Sequence, residues 1–179
     1  MKKYIILIAM LTLLVACKKP PVVPVGIADM SGYGIKSEQF LIMSLEDSYE
    51  LLTTGKGFIY YGFENCPWCK ELIPILDVVA KEKNMEIYYV DVRPDGDEIR
   101  SFENEAYGKI VDFTKEYLDL NEKGEFWLYV PQLFAFNNGK IVASHKGTLP
   151  NHNAPERSMT EAERDLLKEI LIEFYSSVK

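Results

Sequence analysis

The chain has 179 residues, of which 47% are hydrophobic and 26% are charged. This balance predicts one globular domain with a substantial core and excludes an intrinsically disordered chain. The formal net charge of -7 argues against binding to nucleic acid or to an anionic membrane surface, because both of these carry negative charge themselves.

The first 16 residues have the pattern of a secretory leader. Lys2 and Lys3 precede an apolar run from Ile5 to Leu14 that is too short to span a bilayer. The next residues, Leu-Val-Ala-Cys, end at Cys17 and resemble a bacterial lipobox, whose cysteine receives a diacylglyceryl group and becomes the new N-terminus. We therefore expect a lipoprotein signal peptide over 1–16 and an extracytoplasmic protein anchored to the bacterial cell membrane through Cys17.

Residues 17–37 predict a lipid-anchored tether. They are rich in Pro, Val and Gly without any period, and Pro20, Pro21 and Pro24 favour extended chain. The globular domain is then expected over residues 38–179.

A strand and a helix open this domain. The apolar run from Phe40 to Met43 predicts the strand. Ser44 can cap a helix from Leu45 to about Thr53, with Asp47 in the capping-box position.

The next stretch contains a Cys-x-x-Cys at the junction of a strand and a helix. Phe58 to Tyr61 is β-branched and aromatic, which predicts a buried strand, and Gly62 ends it. Pro67 suits the first helical position because its missing N–H would be unpaired there. This places Cys66 at the N-cap and Cys69 one turn inside, on the apolar face of the helix.

The two sulfurs are therefore expected to differ. At the mouth of the site, free N–H groups and the helix dipole would lower the pKa of Cys66 and favour its thiolate. Below it, desolvation would keep Cys69 as a neutral thiol. Thiol–disulfide exchange needs this asymmetry, with Cys66 as the nucleophile and Cys69 as the resolving thiol, and it needs no metal or organic cofactor.

Three other interpretations of the pair stay open. A purely structural disulfide would close a small ring and contribute only about 2 kcal/mol on the loop-entropy estimate. A zinc site would need two further ligands, for which His145 and His152 are the candidates, although we expect His145 in a strand and His152 in a solvated loop. Two buried core cysteines without chemistry are the third.

The strand, the polar elbow Glu64-Asn65, the Cys-Pro-Trp-Cys and the amphipathic helix together resemble the active site of the thioredoxin superfamily. Pro74 is similar in placement to the proline inside the active-site helix of that family. Val130 before Pro131 resembles its cis-proline strand entry, although a trans proline starting an ordinary strand is the alternative. The resemblance implies that these two residues face the disulfide and hold a bound peptide.

Further substrate contacts are expected next to the cysteines. Trp68 and Phe63 would form, with Val130, an apolar seat for an extended or unfolded peptide. The alternative for Trp68 is that it merely shields the edge of the disulfide.

One position departs from the family. Thioredoxins carry a buried acid six residues before the first cysteine, where this chain has Tyr60. Glu64, Lys70 and Glu71 could replace it as proton acceptors for Cys69, but each is more simply explained as a solvated charge near a helix start.

Beyond the cysteines, the pattern predicts four more strands, one or two inserted helices and a final helix. These are a strand over 85–90, one or two inserted helices over 91–125, strands over 126–129, 131–136 and 140–145 joined by an Asn137-Asn138-Gly139 turn, and a final helix with a Thr160/Glu163 capping box. The final helix would bury an apolar stripe formed by Leu166, Leu167, Ile170, Leu171 and Phe174.

The element order β-α-β-α-β-β-α implies an α/β thioredoxin fold, a central mixed sheet flanked by helices, with a short helical insertion before the cis-proline strand. The expected function is membrane-anchored thiol–disulfide exchange with cysteine-containing exported proteins or peptides, served by a membrane or extracytoplasmic redox partner. The lipobox-like sequence, the elbow and the Asn-Gly hairpin followed by His-Lys-Gly also resemble those of bacteriocin transport accessory proteins. The alternative is a non-catalytic accessory or chaperone-like binder. The direction of electron flow stays open, because the Pro-Trp dipeptide does not fix a potential.

Overall fold

The computed structural model describes residues 24–96 and 103–178. The expected signal peptide, the expected lipid site at Cys17 and the first part of the expected tether lie outside these residues. No helix within the described ranges combines the length and the hydropathy that crossing a membrane requires.

The core of the fold is a mixed β-sheet. The strands of the described residues are β1 Gly26–Ile27, β2 Phe40–Ile42, β3 Lys56–Gly62, β4 Ile87–Asp91, β5 Asp119–Leu120, β6 Phe126–Trp127, β7 Gln132–Asn137 and β8 Ile141–Lys146. Six of them form the main sheet in the order β1-β2-β4-β3-β7-β8, and β5 pairs with β6 in a separate small sheet. Strands β2, β3 and β4 are parallel, which confirms the predicted β-α-β crossover, while β7 runs antiparallel to β3 and β8 antiparallel to β7.

Within the described residues, four α-helices flank this sheet, and a side chain caps the start of each one. They are α1 Leu45–Thr54, α2 Pro67–Lys83, α3 Glu105–Thr114 and α4 Glu161–Ser176. Ser44, Cys66, Asn104 and Thr160 accept a backbone N–H of the first turn. The predicted capping box between Thr160 and Glu163 is present.

The helices cover both faces of the sheet. Successive residues of β3 point to opposite faces, so Phe58 and Tyr60 pack with α2 and α4, whereas Ile59 and Tyr61 pack with α1 and α3. Helices on both sides of a mixed sheet in this strand order are the thioredoxin fold, as the sequence predicts.

The predicted helical insertion is also present. It contains the short 3-10 turns Pro94–Gly96 and Lys115–Tyr117 on either side of α3. Ile110 and Leu118 are buried in the core, as their spacing predicts. The pairing of β5 with β6 was not predicted, and it limits the strand expected over 126–129 to its first two residues.

The described part of the predicted tether, residues 24–37, is folded onto the domain, so this prediction is wrong there. β1 pairs antiparallel with β2, and a 3-10 turn follows at Ser31–Tyr33. Met30 and Tyr33 are only 2% and 6% exposed, because their side chains enter the core beside α2. The folded domain thus begins before residue 38.

Two predictions of burial in the C-terminal part, a buried Leu166 and Ile170 and a solvated His152, also need correction. Leu166 is 50% exposed and Ile170 is half-buried, because the face of α4 that meets the sheet is narrow and is filled by Leu167, Leu171 and Phe174. His152 is 6% exposed and not solvated. Its Nδ1 lies 2.7 Å from Thr148 Oγ1 and its Nε2 lies 2.9 Å from the Arg157 carbonyl oxygen. The imidazole ring therefore links the two ends of the loop that contains it.

Candidate functional site

The candidate site lies where β3 ends, α2 begins and β7 starts. The register pairs Tyr61 with Gln132, so the end of β3 lies next to the residues that precede β7. The Val130-Pro131 peptide bond is cis, as the resemblance implies. Antiparallel pairing therefore brings the Val130-Pro131 segment to the cysteines across more than 60 residues of sequence.

Cys66 contacts both of these elements. Its Sγ accepts the backbone N–H of Cys69 at 3.3 Å, which makes it the N-cap of α2. Its thiol donates to the carbonyl oxygen of Val130 at 3.8 Å. Cys66 and Cys69 are both in the thiol form in this structure. The sulfur of Cys66 is thus held between a helix N-terminus and the cis-proline segment.

Burial of the pair agrees with the prediction for one sulfur and differs for the other. Cys69 is 0% exposed under the start of α2, as predicted. Cys66 is only 3% exposed, so the expectation of an open sulfur at the mouth is wrong. The reason is that Phe63, Trp68 and Val130 pack against the core cluster that includes both cysteines.

Electrostatics keeps Cys69 neutral. Burial raises the pKa of its thiol well above the ordinary range, and the neighbouring Cys66 sulfur raises it further. The Tyr60 hydroxyl and the backbone at Phe63 act in the opposite direction. Cys69 is therefore a thiol that needs help to ionise.

The structure brings the other predicted contact residues to the same place. Phe63, Trp68 and Val130 are half-buried, and Pro131 is buried. The guanidinium carbon of Arg93 lies 4.2 Å from the centroid of the Phe63 ring, a cation–π contact. Together these side chains give the rim of the site an apolar surface with one cation above it.

The three suggested proton acceptors do not lie with the sulfurs in the core. Glu64 and Lys70 are exposed. The Glu71 carboxylate accepts the Met159 N–H at 3.1 Å and lies 3.6 Å from Arg164, so it ties α2 to the start of α4. All three are explained as surface or structural charges.

A cluster of tyrosines lies beneath the cysteines instead. Tyr60 is fully buried, and its ring stacks on Tyr89 with centroids 5.7 Å apart. The hydroxyls of Tyr33 and Tyr89 lie 3.0 Å apart. Strand alternation could have placed Tyr60 and Tyr89 on this face, but Tyr33 lies in the segment predicted as a tether and gave no signal.

The two histidines do not join the cysteines. His145 is in β8 at the edge of the sheet, as predicted, and burial lowers its pKa. Both ring nitrogens of His152 are already engaged with Thr148 and Arg157. Within residues 24–96 and 103–178, no group of three or more His, Cys, Asp or Glu side chains is placed to hold a metal ion.

Comparisons with known proteins give matches among solved structures only. No family model and no curated protein matches the sequence. Thioredoxin from Malassezia sympodialis is 15% identical, with a TM-score of 0.44 over 78% of this chain and 93% of that one. Thioredoxin O2 from Arabidopsis thaliana is 15% identical, with a TM-score of 0.44 over 76% and 95% of the two chains. A protein described as a putative oxidoreductase with a thioredoxin fold is 19% identical, with a TM-score of 0.38 over 59% and 82%. These likenesses concern the fold, and the chemistry of the site rests on the residues of this chain.

Proposed function

We propose that this thioredoxin-fold chain is a thiol–disulfide oxidoreductase that acts on cysteines of other proteins through Cys66 and Cys69. The observation that carries the proposal is the inequivalence of the two sulfurs. Cys66 accepts a backbone N–H at a helix N-terminus, an arrangement that stabilises a thiolate. Cys69 is fully buried one turn further on and is kept as a thiol.

The exchange proceeds in two steps. The Cys66 thiolate attacks one sulfur of a client disulfide, a new S–S bond forms, and the other client sulfur leaves as a thiolate that takes up a proton. Cys69 then loses its proton and attacks the Cys66 sulfur of the mixed disulfide. The Cys66–Cys69 bond forms, the second client sulfur leaves and is protonated, and the client is reduced while the protein is oxidised. The same steps in reverse oxidise a client dithiol.

The rim residues would hold the client. The backbone at Val130 already accepts a hydrogen bond from Cys66, so a client peptide lying along this segment would place its sulfur beside Cys66. The half-buried Trp68 and Phe63 offer apolar contact on the other side. Because Cys66 is only 3% exposed, an extended or unfolded peptide reaches its sulfur more easily than a rigid folded surface.

The deep position of Cys66 also favours a second candidate function. A sulfur this enclosed fits a non-catalytic accessory or chaperone-like protein that binds a partner and uses the cysteine pair only for rigidity. The two functions separate on the Cys66 sulfur, because only the exchange reaction requires it to form a bond with a client.

The substitution Cys69→Ser is expected to trap clients on the proposed enzyme. Without the resolving thiol, the mixed disulfide at Cys66 persists and can be seen as a reducible adduct on a non-reducing gel. The double variant Cys66→Ser/Cys69→Ser is the matched control and should show no adduct. Partner binding by the double variant, with no adduct in the single variant, would favour the non-catalytic function.

We also propose, from the lipobox-like sequence, that the protein is extracytoplasmic and lipid-anchored at Cys17. Two acyl chains hold a protein stably at a membrane where one is reversible. The substitution Cys17→Ser should therefore move the protein from the membrane fraction to the soluble fraction or leave the leader uncleaved, and abolish incorporation of a labelled fatty acid. Labelling of the variant equal to that of the parent chain would disprove this anchor.

A further inference from the structure

Tyr60 places a polar group in the apolar core directly under the active site. The residue is 0% exposed, and its hydroxyl has no hydrogen-bond partner within the part of the chain that the structure describes. An unpaired buried hydroxyl destabilises a folded protein, and most such groups find a partner. A phenylalanine would fill the same space without this cost, so the hydroxyl calls for a role.

Among the groups around the Tyr60 hydroxyl, the sulfur of Cys69 is the candidate hydrogen-bond partner. The hydroxyls of Tyr33 and Tyr89 lie 3.0 Å apart, so one of them donates to the other. Tyr60 and Cys69 belong to the same core cluster. After burial, Cys69 and then Tyr33 are the side chains that most raise the pKa of Tyr60. Within the described residues, the other ionisable groups that raise the pKa values of these tyrosines are Cys66 at the N-cap of α2, Asp91 at the end of β4, and Glu64 in the elbow.

Gly62 allows the phenol to reach this place. Residues 60 and 62 lie on the same face of β3. A Cβ atom on Gly62 would lie closer to the hydroxyl oxygen and Cε1 of Tyr60 than atoms can approach. The absence of a side chain at residue 62 thus leaves room for the Tyr60 hydroxyl in the core cluster that contains both cysteines.

We propose that the Tyr60 hydroxyl donates a hydrogen bond to the sulfur of Cys69 when that sulfur ionises in the resolving step, an inference that rests on the proposed exchange function. The Cys69 proton leaves for the solvent, and the thiolate attacks the Cys66 sulfur. The client thiolate leaves as the Cys66–Cys69 bond forms, and takes up a proton. Tyr60 keeps its own proton throughout, because burial raises its pKa well above the ordinary value.

This role explains why the hydroxyl is unpaired in the dithiol form. A neutral thiol is a weak acceptor, whereas a thiolate is a strong one, so the bond forms only when the reaction needs it. An interaction that is stronger in the transition state than in the ground state accelerates the step. A hydrogen bond to an ionised group lowers the pKa of a thiol by about one to two units. About half of this gain is offset because a less basic thiolate is a weaker nucleophile, so the net acceleration is about threefold to tenfold.

The test is a single-turnover measurement of resolution. The full chain carrying Cys17→Ser, with Cys66 and Cys69 as its two thiols, is mixed with Ellman's reagent. The first thionitrobenzoate released reports attack by Cys66, and the second reports attack by Cys69 on the mixed disulfide. Tyr60→Phe should slow the second phase about threefold to tenfold near neutral pH and leave the first nearly unchanged.

Tyr61→Phe is the matched control. Tyr61 is equally buried in the same strand, but it faces the opposite side of the sheet and donates to Ser48 Oγ at 2.9 Å. The loss of this hydroxyl should change stability and not the second phase. Gly62→Ala supplies an independent variant, because it keeps the phenol but displaces it, and it should slow the second phase as Tyr60→Phe does.

A second readout does not depend on exchange. In the Cys66→Ser background, the Cβ chemical shift of isotopically labelled Cys69 reports its ionisation up to the pH at which the chain unfolds, and Tyr60→Phe should move the onset of that titration to higher pH by about one to two units. An unchanged second phase and titration in either Tyr60→Phe or Gly62→Ala, or an equal slowing in Tyr61→Phe, would overturn the inference. A parent chain that lacks the second phase altogether would instead overturn the proposed function.

Discussion

The substitution Cys66→Ser is expected to reduce disulfide exchange to the uncatalysed background. Every step of the proposed reaction forms or breaks a bond at the Cys66 sulfur, and serine oxygen does not form the mixed disulfide. The hydroxyl can still cap α2, because serine is a favoured N-cap residue, so the fold should be retained. The measurement is reduction of a protein disulfide by excess dithiothreitol with catalytic amounts of the protein.

Cys69→Ser is the comparison that makes this result specific. Because Cys69 is fully buried, the two variants should differ in kind, with Cys66→Ser inert and Cys69→Ser forming adducts that turn over slowly. Both variants should show the far-ultraviolet circular dichroism of the parent chain. Exchange by Cys66→Ser at more than about a tenth of the parent rate would remove Cys66 from the nucleophilic role and leave the binding function as the better explanation.

The central part of the fold could be predicted because its signals are local. Pro67 after Cys66 marks the start of α2, and the apolar spacing from Cys69 marks its buried face. The alternation of residues in β3 separates Tyr60 from Tyr61, and the Asn-Gly turn fixes the β7-β8 hairpin, where Asn138 and Gly139 have φ of 51° and 70°.

The remainder depends on contacts between distant segments, which periodicity does not report. The segment around Tyr33 has no regular pattern, and its burial follows only from the open edge at β2 and the space beside α2. The enclosure of Cys66 likewise comes from Val130, which is 64 residues away along the chain. Sequence spacing located the two sulfurs, but only tertiary packing shows how deeply they lie and that a tyrosine cluster lies beneath them.

This cluster, together with Tyr61 on the opposite face of the sheet, should make the reduced protein unusually sensitive to alkaline pH. Burial is the first cause that raises the pKa of each of Tyr33, Tyr60, Tyr61, Tyr89 and Cys69 above its ordinary value. In the unfolded chain, cysteine titrates near pH 8.5 and tyrosine near pH 10. The groups are protonated in both states below those values, so their contribution to stability is fully present there.

Above the unfolded pKa values, the unfolded chain loses protons that the folded chain retains, and stability falls as the pH rises. Each such group removes about 1.4 kcal/mol per pH unit, so four tyrosines together remove roughly 5 kcal/mol per pH unit above pH 10. A domain of this size has a total stability of about 5–15 kcal/mol. The reduced protein should therefore begin to lose stability near pH 9 and unfold cooperatively between about pH 10 and pH 12.

Urea unfolding measured across this pH range gives the slope directly, and ultraviolet absorbance of tyrosinate shows when the phenols ionise. The four buried tyrosines, Tyr33, Tyr60, Tyr61 and Tyr89, should ionise together with the loss of near-ultraviolet circular dichroism. The oxidised protein is the matched control, because its Cys69 no longer carries a proton and the decline should begin near pH 10 and not near pH 9. Ionisation of all the tyrosines near pH 10 with the near-ultraviolet spectrum intact would contradict the burial of the cluster. It would also take away the apolar surroundings on which the proposed hydrogen bond from Tyr60 to Cys69 depends.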